Sequence, residues 1–280
     1  MKIILAKTIG FCCGAKRAWD LAQKSLKEDK KPVYFLGEIL HNKEVIKILK
    51  KQGGIFISDP SKVEKGTLII RAHGVGPFKI KKSVLIRDLT CPFVKRIQKF
   101  AWQMSKEGYE VVIIGKKRHP EVRGIKEYAG EKAMVVENCL QAQKLKKYER
   151  MGVVIQSTFD KEKTEEILKI LKKKAKNLNW INTLCPEVFK RQREALKLAK
   201  KVEVVLVIGS KKSSNTNTLV NLLKKTKKKI FWISHFKELE KISFSKISKL
   251  GIISGNSVPI WTIEKIYNKL KEKGGRDEKN

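Results

Sequence analysis

The chain has 280 residues, 41% hydrophobic and 32% charged, and its 63 Lys and Arg against 28 Asp and Glu give a formal net charge of +35. That length permits a substantial core in one to three domains, and no apolar run reaches the roughly 18 residues of a membrane span. The charge by itself is weak support for nucleic-acid binding, because arginine supplies only 10 of the 63 basic residues and no recognition motif or aromatic stacking run occurs.

The lysines are spread through every helix-like segment and are read as solvated faces, part of which steers an acidic partner or an anionic substrate. Short β-branched runs alternate with these segments. KIILA (2–6) comes first, and its apolar stretch breaks at Lys7, too early for a secretory signal, so a cytoplasmic setting is expected. Cys12 and Cys13 open the basic segment CCGAKRAWDLA. PVYFLG ends at Gly37, four residues before His41 in HNKEV. GIFIS and TLIIRA follow, the latter running into His73, and Cys91 begins CPFVKRIQKFA. VVIIG ends at Gly115, four residues before His119 and six before Glu121, both in the loop HPEVRG. AMVV and GVVIQ lead to Ser157 and Thr158, and Cys185 begins CPEVFKRQREALKLA. VVLVIG ends at Gly209, four residues before Ser213 in SKKSSNTNTL. IFWIS and LGIIS complete the series, with Ser257 in SGNSVP. This alternation predicts an α/β fold of mostly parallel sheets with helices packed on them.

Two sets of markers repeat in step. Cys12, Cys91 and Cys185 lie 79 and 94 residues apart, and His41, His119 and Ser213 lie 78 and 94 apart. A repeat this long predicts three copies of one α/β unit. The units are placed at 14–91, 92–181 and 182–272, with the leading strand 1–13 completing the third sheet and a disordered tail at 273–280.

Five cysteines in a reducing compartment argue for metal or catalysis rather than a disulfide framework. Cys12, Cys91 and Cys185 each head a basic helix, and proline follows two of them. A thiol at such a cap meets the helix dipole and nearby Lys or Arg, both of which favour the thiolate. Three distant sulfur ligands without a CxxC pair suit an iron–sulfur cluster with one open iron better than a closed zinc site. Cys139 reads as an ordinary buried cysteine, and Cys13 stands outside the repeat. His41, His73 and His119 fall at strand-to-loop edges, where α/β sheets place ligands, whereas His235 has no counterpart and reads as surface. Ser213, Ser214 and Asn215 open a helix and exceed what one N-cap requires. With the three imidazoles they form a cradle for a diphosphate, and no Walker loop competes with that reading. Glu121 beside such a cradle would deliver protons. Three functions stay open on these residues: an iron–sulfur reductase, an iron–sulfur dehydratase acting on another anionic substrate, and a basic RNA-associated protein with a structural zinc.

GFCCGAKRA, HNKEV, RAHGVGP, TCPFVKR, HPEVRG, QSTF, the cysteine of NTLCPEVFKRQREA, SKKSSNTN and SGNSVP occur in this order at fitting spacings. Over nearly its whole length the chain thereby resembles the 4-hydroxy-3-methylbut-2-enyl diphosphate reductases of the methylerythritol phosphate route to isoprenoids. The resemblance implies a pseudo-threefold trefoil of three α/β domains around a central cavity, and one [4Fe–4S] cluster per subunit held by Cys12, Cys91 and Cys185. It implies that His41, His73, His119, Ser213, Ser214, Asn215 and Ser257 hold the diphosphate, that Glu121 donates a proton, and that Ser157 lies near the allylic hydroxyl. The reaction implied is reductive loss of that hydroxyl as water, giving isopentenyl and dimethylallyl diphosphate, with electrons from ferredoxin or flavodoxin. The chain departs from the family pattern at Ser157–Thr158, usually two threonines, after Cys185, where an Ala-Thr pair is more common, and at Asn256, usually alanine.

Overall fold

The computed structural model describes residues 1–280 except 246, 273, 275 and 278–280. Its elements begin with β1 (Lys2–Leu5), α1 (Cys13–Glu28), β2 (Val33–Leu36), α2 (Lys43–Lys51), β3 (Ile55–Ile57), β4 (Gly66–Ile70) and β5 (Val84–Asp88). There follow α3 (Pro92–Lys106), β6 (Glu110–Ile114), α4 (Pro120–Ala129), β7 (Met134–Val136), α5 (Cys139–Gln143), β8 (Tyr148–Ile155), α6 (Lys161–Lys172) and β9 (Ala175–Trp180). The last stretch holds α7 (Pro186–Lys201), β10 (Val204–Ile208), α8 (Ser214–Lys224), β11 (Lys229–Ile233), β12 (Lys249–Ser254), α9 (Ile260–Glu272) and β13 (Arg276–Asp277). The chain divides into two compact units, one of residues 1–16, 41–45 and 186–280, the other of 17–40 and 46–185.

The first unit is built on one sheet, in the order β11-β10-β12-β1-β13, and every pairing in it is parallel. Both faces are covered, so its central strands read as unbroken apolar runs rather than alternating ones. Val204, Leu206 and Ile208 of β10 enter one core with Leu250, Ile252 and Ile263, while Val205 and Val207 enter another with Leu198, Leu219 and Ile253. Each such aliphatic side chain contributes about 1.5–3 kcal/mol on burial.

The second unit carries two sheets, β3-β2-β4-β5 and β7-β6-β8-β9, again parallel throughout. β6 and β8 divide their residues in the same way, with Val112, Ile114, Val153 and Ile155 on one face and Val111, Ile113 and Val154 on the other. All ten runs read as strands in the sequence are strands. Among the described residues there are three more, β5, β9 and β13, and each ends its sheet. β5 and β9 are half exposed, which dilutes the apolar signal by which a strand is recognised. The tail expected to be disordered lies partly outside the described residues. Arg276–Asp277 within it instead pair with Lys2–Ile3, since a backbone ladder needs no apolar side chains.

The three sheets repeat one plan. The glycine after the second strand of each donates its N–H to the neighbouring strand end: Gly37 to Ile57 O, Gly115 to Val136 O and Gly209 to Ile233 O, at 2.8, 3.0 and 2.8 Å. A Cβ on Gly209 would lie 2.7 Å from Thr216 Oγ1, and one on Gly115 would lie 2.8 Å from Gln156 Cβ, so neither site accepts a side chain. Each of the three cysteines follows the fourth strand of its plan, which is β1, β5 or β9.

Candidate active site

The cysteines are fixed by one recurring bond. Cys91 N–H donates to Ala72 O at 2.9 Å, Cys185 N–H to Ser157 O at 2.8 Å, and Cys12 N–H to Asn256 O at 3.1 Å. Every acceptor lies two residues past the end of the third strand of its sheet, β4, β8 or β12. The backbone therefore anchors each cysteine at the mouth of its own sheet. None of the five cysteines is in a disulfide. Cys91 caps α3 with Pro92 at the first helical position, and Cys185 stands directly before Pro186 of α7. Cys12 Sγ accepts from Ala15 N–H at 3.4 Å across the first turn of α1. The dipole and neighbouring cations do not win at Cys12, however. Burial pushes its thiol up, and the Ala15 contact and the Arg191 charge offset this only in part. Cys139 is half-buried on α5 rather than buried, its Sγ 3.7 Å from Glu166 Oε2, and Cys13 is exposed.

In the second unit the chemistry gathers around Glu121. The sequence places this residue in a loop, but it lies in the first turn of α4 and is only 2% exposed. Pro120 at the first helical position extends the helix back to His119, whose Nδ1 accepts the Glu121 N–H at 3.2 Å. With Nδ1 used as an acceptor, a neutral His119 carries its proton on Nε2. Ser157 N–H donates to Glu121 Oε1 at 2.6 Å and Ser157 Oγ–H to Oε2 at 2.8 Å. Burial raises the carboxyl to about 7 despite both bonds, which act in the opposite direction. The group therefore exchanges a proton near neutrality, the range a general acid needs. Ser157 serves two roles, since its carbonyl is also the acceptor that anchors Cys185. The neighbouring Thr158 is otherwise engaged: Gln156, itself fully buried, donates from Nε2 to Thr158 Oγ1 at 3.0 Å. The His73 and His119 rings meet edge to face with centroids 5.6 Å apart.

The first unit holds the remaining polar set. Ser213 caps α8, its Oγ accepting from Thr216 N–H at 3.3 Å. Ser214 and Asn215 are equally buried, at 7% and 5%, yet are not needed for the cap. Asn215 Nδ2 and Asn256 Oδ1 are buried without a hydrogen-bond partner among the described residues. A lone buried donor and a lone buried acceptor are costly unless a ligand meets them. At Gly255 a Cβ would come 2.2 Å from Thr216 Oγ1, so the loop after β12 runs against the start of α8. Asn42 holds the same loop from another side. Its Oδ1 accepts the Glu44 and Val45 N–H groups at 3.0 and 3.1 Å, and its Nδ2 donates to Ser257 O at 3.0 Å. His41 is the residue before it. His235 is exposed, its Nε2 3.1 Å from Glu238, as a surface histidine.

Sequence reasoning missed Asn42 and Arg191. The first was visible inside HNKEV as a cap residue two places before an acidic one, but His41 beside it drew the attention. The second stands in FKRQRE, where it looks like one more solvated cation, yet it is 2% exposed.

The LytB protein family matches residues 3–271. The 4-hydroxy-3-methylbut-2-enyl diphosphate reductase of Caldanaerobacter subterraneus subsp. tengcongensis is 39% identical, covering 99% of each chain. The enzyme of that name from Aquifex aeolicus is 38% identical over 96% of each. Among solved structures, the E-1-hydroxy-2-methyl-but-2-enyl-4-diphosphate reductase of Plasmodium falciparum superposes with a TM-score of 0.89 at 29% identity, covering 100% of this chain and 92% of that one. A structure of (E)-4-hydroxy-3-methyl-but-2-enyl diphosphate reductase, described as the terminal enzyme of the non-mevalonate pathway, gives 0.74 at 37% identity, covering 97% and 100%.

Proposed function

Since this chain belongs to the LytB protein family, we propose that it reduces 4-hydroxy-3-methylbut-2-enyl diphosphate to isopentenyl and dimethylallyl diphosphate. The carbon–oxygen bond of the allylic hydroxyl breaks, two electrons and two protons are consumed, and water leaves. The observation that carries the reading is the buried Glu121 carboxyl, poised near neutrality and bonded twice to Ser157.

Cys12, Cys91 and Cys185 suit a [4Fe–4S] cluster. They offer three soft sulfur donors, in no disulfide, each anchored at a sheet mouth by its backbone N–H. Bound there, the cluster would supply a Lewis-acidic iron and electrons one at a time.

The rest of the work falls to the side chains. His41, His73, His119, Ser213, Ser214, Asn215 and Ser257 would clamp the diphosphate, with Asn215 Nδ2 an unused donor for one of its oxygens. The clamp fixes the carbon chain, and fixing reactants in place is where such a site gains most. Glu121 would hold the proton that leaves with the hydroxyl. When the carboxyl is protonated its 2.8 Å contact with Ser157 reverses, so that Ser157 Oγ accepts from it and donates onward to the substrate oxygen. Ferredoxin or flavodoxin would deliver the electrons, in the cytoplasm. No helix among the described residues is long and apolar enough to cross a membrane.

The test is anaerobic oxidation of reduced methyl viologen by cluster-loaded protein, with and without the substrate, after iron and sulfide have been assayed. Oxidation that depends on substrate is the expected result. Its absence in fully loaded protein would refute the reductase reading and favour a dehydratase.

A further inference from the structure

Arg191, in the first half of α7, is the bulkiest fully buried side chain among the described residues. A guanidinium withdrawn from water is costly unless its donors are met. Nη1 donates to Ser254 O at 2.8 Å, Ser254 Oγ at 3.0 Å and Gly255 O at 3.3 Å, and Nη2 to Gly10 O at 2.8 Å, while Nε alone of the three nitrogens has no partner among the described residues. Ser254 Oγ also accepts the Gly10 N–H at 2.9 Å. Ser254 ends β12, and Gly10 and Gly255 belong to two loops. One leaves β1 and carries Cys12, and the other leaves β12 and carries Asn256 and Ser257.

Arginine bonded in this way differs from an arginine in a salt bridge. Its hydrogen bonds go to carbonyl and hydroxyl oxygens, so its charge is solvated by dipoles and not cancelled by a bonded carboxylate. Burial draws the guanidinium down to about 10, against the pull of Cys12 and Glu187, and it stays charged at neutral pH.

We propose that Arg191 is a positioning residue of the site, locking the Cys12 loop to the Ser257 loop and keeping a fixed positive charge close to the Cys12 sulfur. The lock would hold Sγ where a cluster needs it and present Ser257 to substrate in the same act. The charge favours the reduced cluster, which is the more negative state, and so raises its potential. The proposal rests on the reading of Cys12 as a cluster ligand.

Full-length Arg191→Gln and Arg191→Lys chains test it in two ways. In the cluster-free protein, amide hydrogen exchange is followed at Gly10, Cys12 and Gly255, with Val205 and Leu206 of β10 as internal references. Arg191→Gln should speed exchange at the loop amides about tenfold or more, as loss of charge-assisted hydrogen bonds implies, and leave β10 unchanged. In cluster-loaded protein, a spectroscopic redox titration should shift the oxidised-to-reduced ratio of Arg191→Gln about tenfold toward oxidised, equivalent to 59 mV for one electron. Arg191→Lys should loosen the loops but keep the wild-type potential, because the charge remains.

Unchanged loop exchange, equal loosening of β10, unfolding of both variants, or a potential in Arg191→Gln equal to wild type would each overturn the proposal. The exchange measurement needs no cluster. If the loops loosen as expected while Cys12→Ser still holds a complete cluster, the ligand assignment is refuted and the lock is not.

Discussion

Replacing Glu121 by glutamine removes a titration while keeping the shape of the site. The carboxyl has an ordinary value of 4.5 and is raised to about 7 by burial. Below pH 4.5 it is protonated in both the folded and unfolded chain and has no effect on stability. Between 4.5 and 7 the unfolded chain ionises and the folded chain does not, so stability falls as pH rises. Above 7 the full cost is present, about 3 kcal/mol at 1.36 kcal/mol per pH unit. Glutamine at 121 carries no such cost. Its Oε1 still accepts from Ser157 N–H, and its amide donates to Ser157 Oγ. Urea unfolding of the cluster-free full chain, compared from about pH 4 to about pH 8, should show Glu121→Gln gaining about 3 kcal/mol on wild type across that range. The same variant should load its cluster and bind substrate yet lose most turnover. Parallel stability curves for the two proteins would refute the argument, because the carboxyl would then be ionised at its ordinary value.

Three further outcomes follow from the geometry. Cys91→Ser should lose iron and sulfide on purification, whereas Cys139→Ser, whose thiol on α5 faces Glu166 of α6, should retain both; a fully loaded Cys91→Ser protein would remove Cys91 from the ligand set. Gly255→Ala should lose roughly 1–3 kcal/mol, since its methyl would press on Thr216 Oγ1 from 2.2 Å, and wild-type thermal stability would show that the loop has room. Asn42→Ala should cost about 1 kcal/mol as a lost helix cap and also raise KM for the diphosphate by releasing the Ser257 loop; a stability loss with unchanged KM would confine Asn42 to capping.

The central strands could be read from the sequence because both faces of each sheet are buried, which leaves runs such as VVLVI and VVII with nothing polar to obscure them. The edge strands could not. AKNLNW pairs with β8 along its length, yet half of its side chains are exposed and none is fully buried. Cys12, Cys91 and Cys185 were legible as a spacing, and the structure gives that spacing a cause in one backbone bond used three times. Glu121 was legible as a residue type but not as an environment. Proline after histidine can start a helix as readily as it shapes a loop, and only the fold decides that the carboxyl is buried. Arg191 was hidden by its neighbours. In a chain with 63 basic residues, one cation that turns inward has no local signature.

The bond between each cysteine and the residue two past its third strand bears on how this chain can vary. Position is set by the sheet and not by counting along the chain, so the 79 and 94 residues between successive cysteines are not rulers. A surface turn between them can gain or lose residues without displacing a thiol, provided the strand ends stay in register. Insertions at such turns, for a tag or a reporter, would leave all three anchors intact.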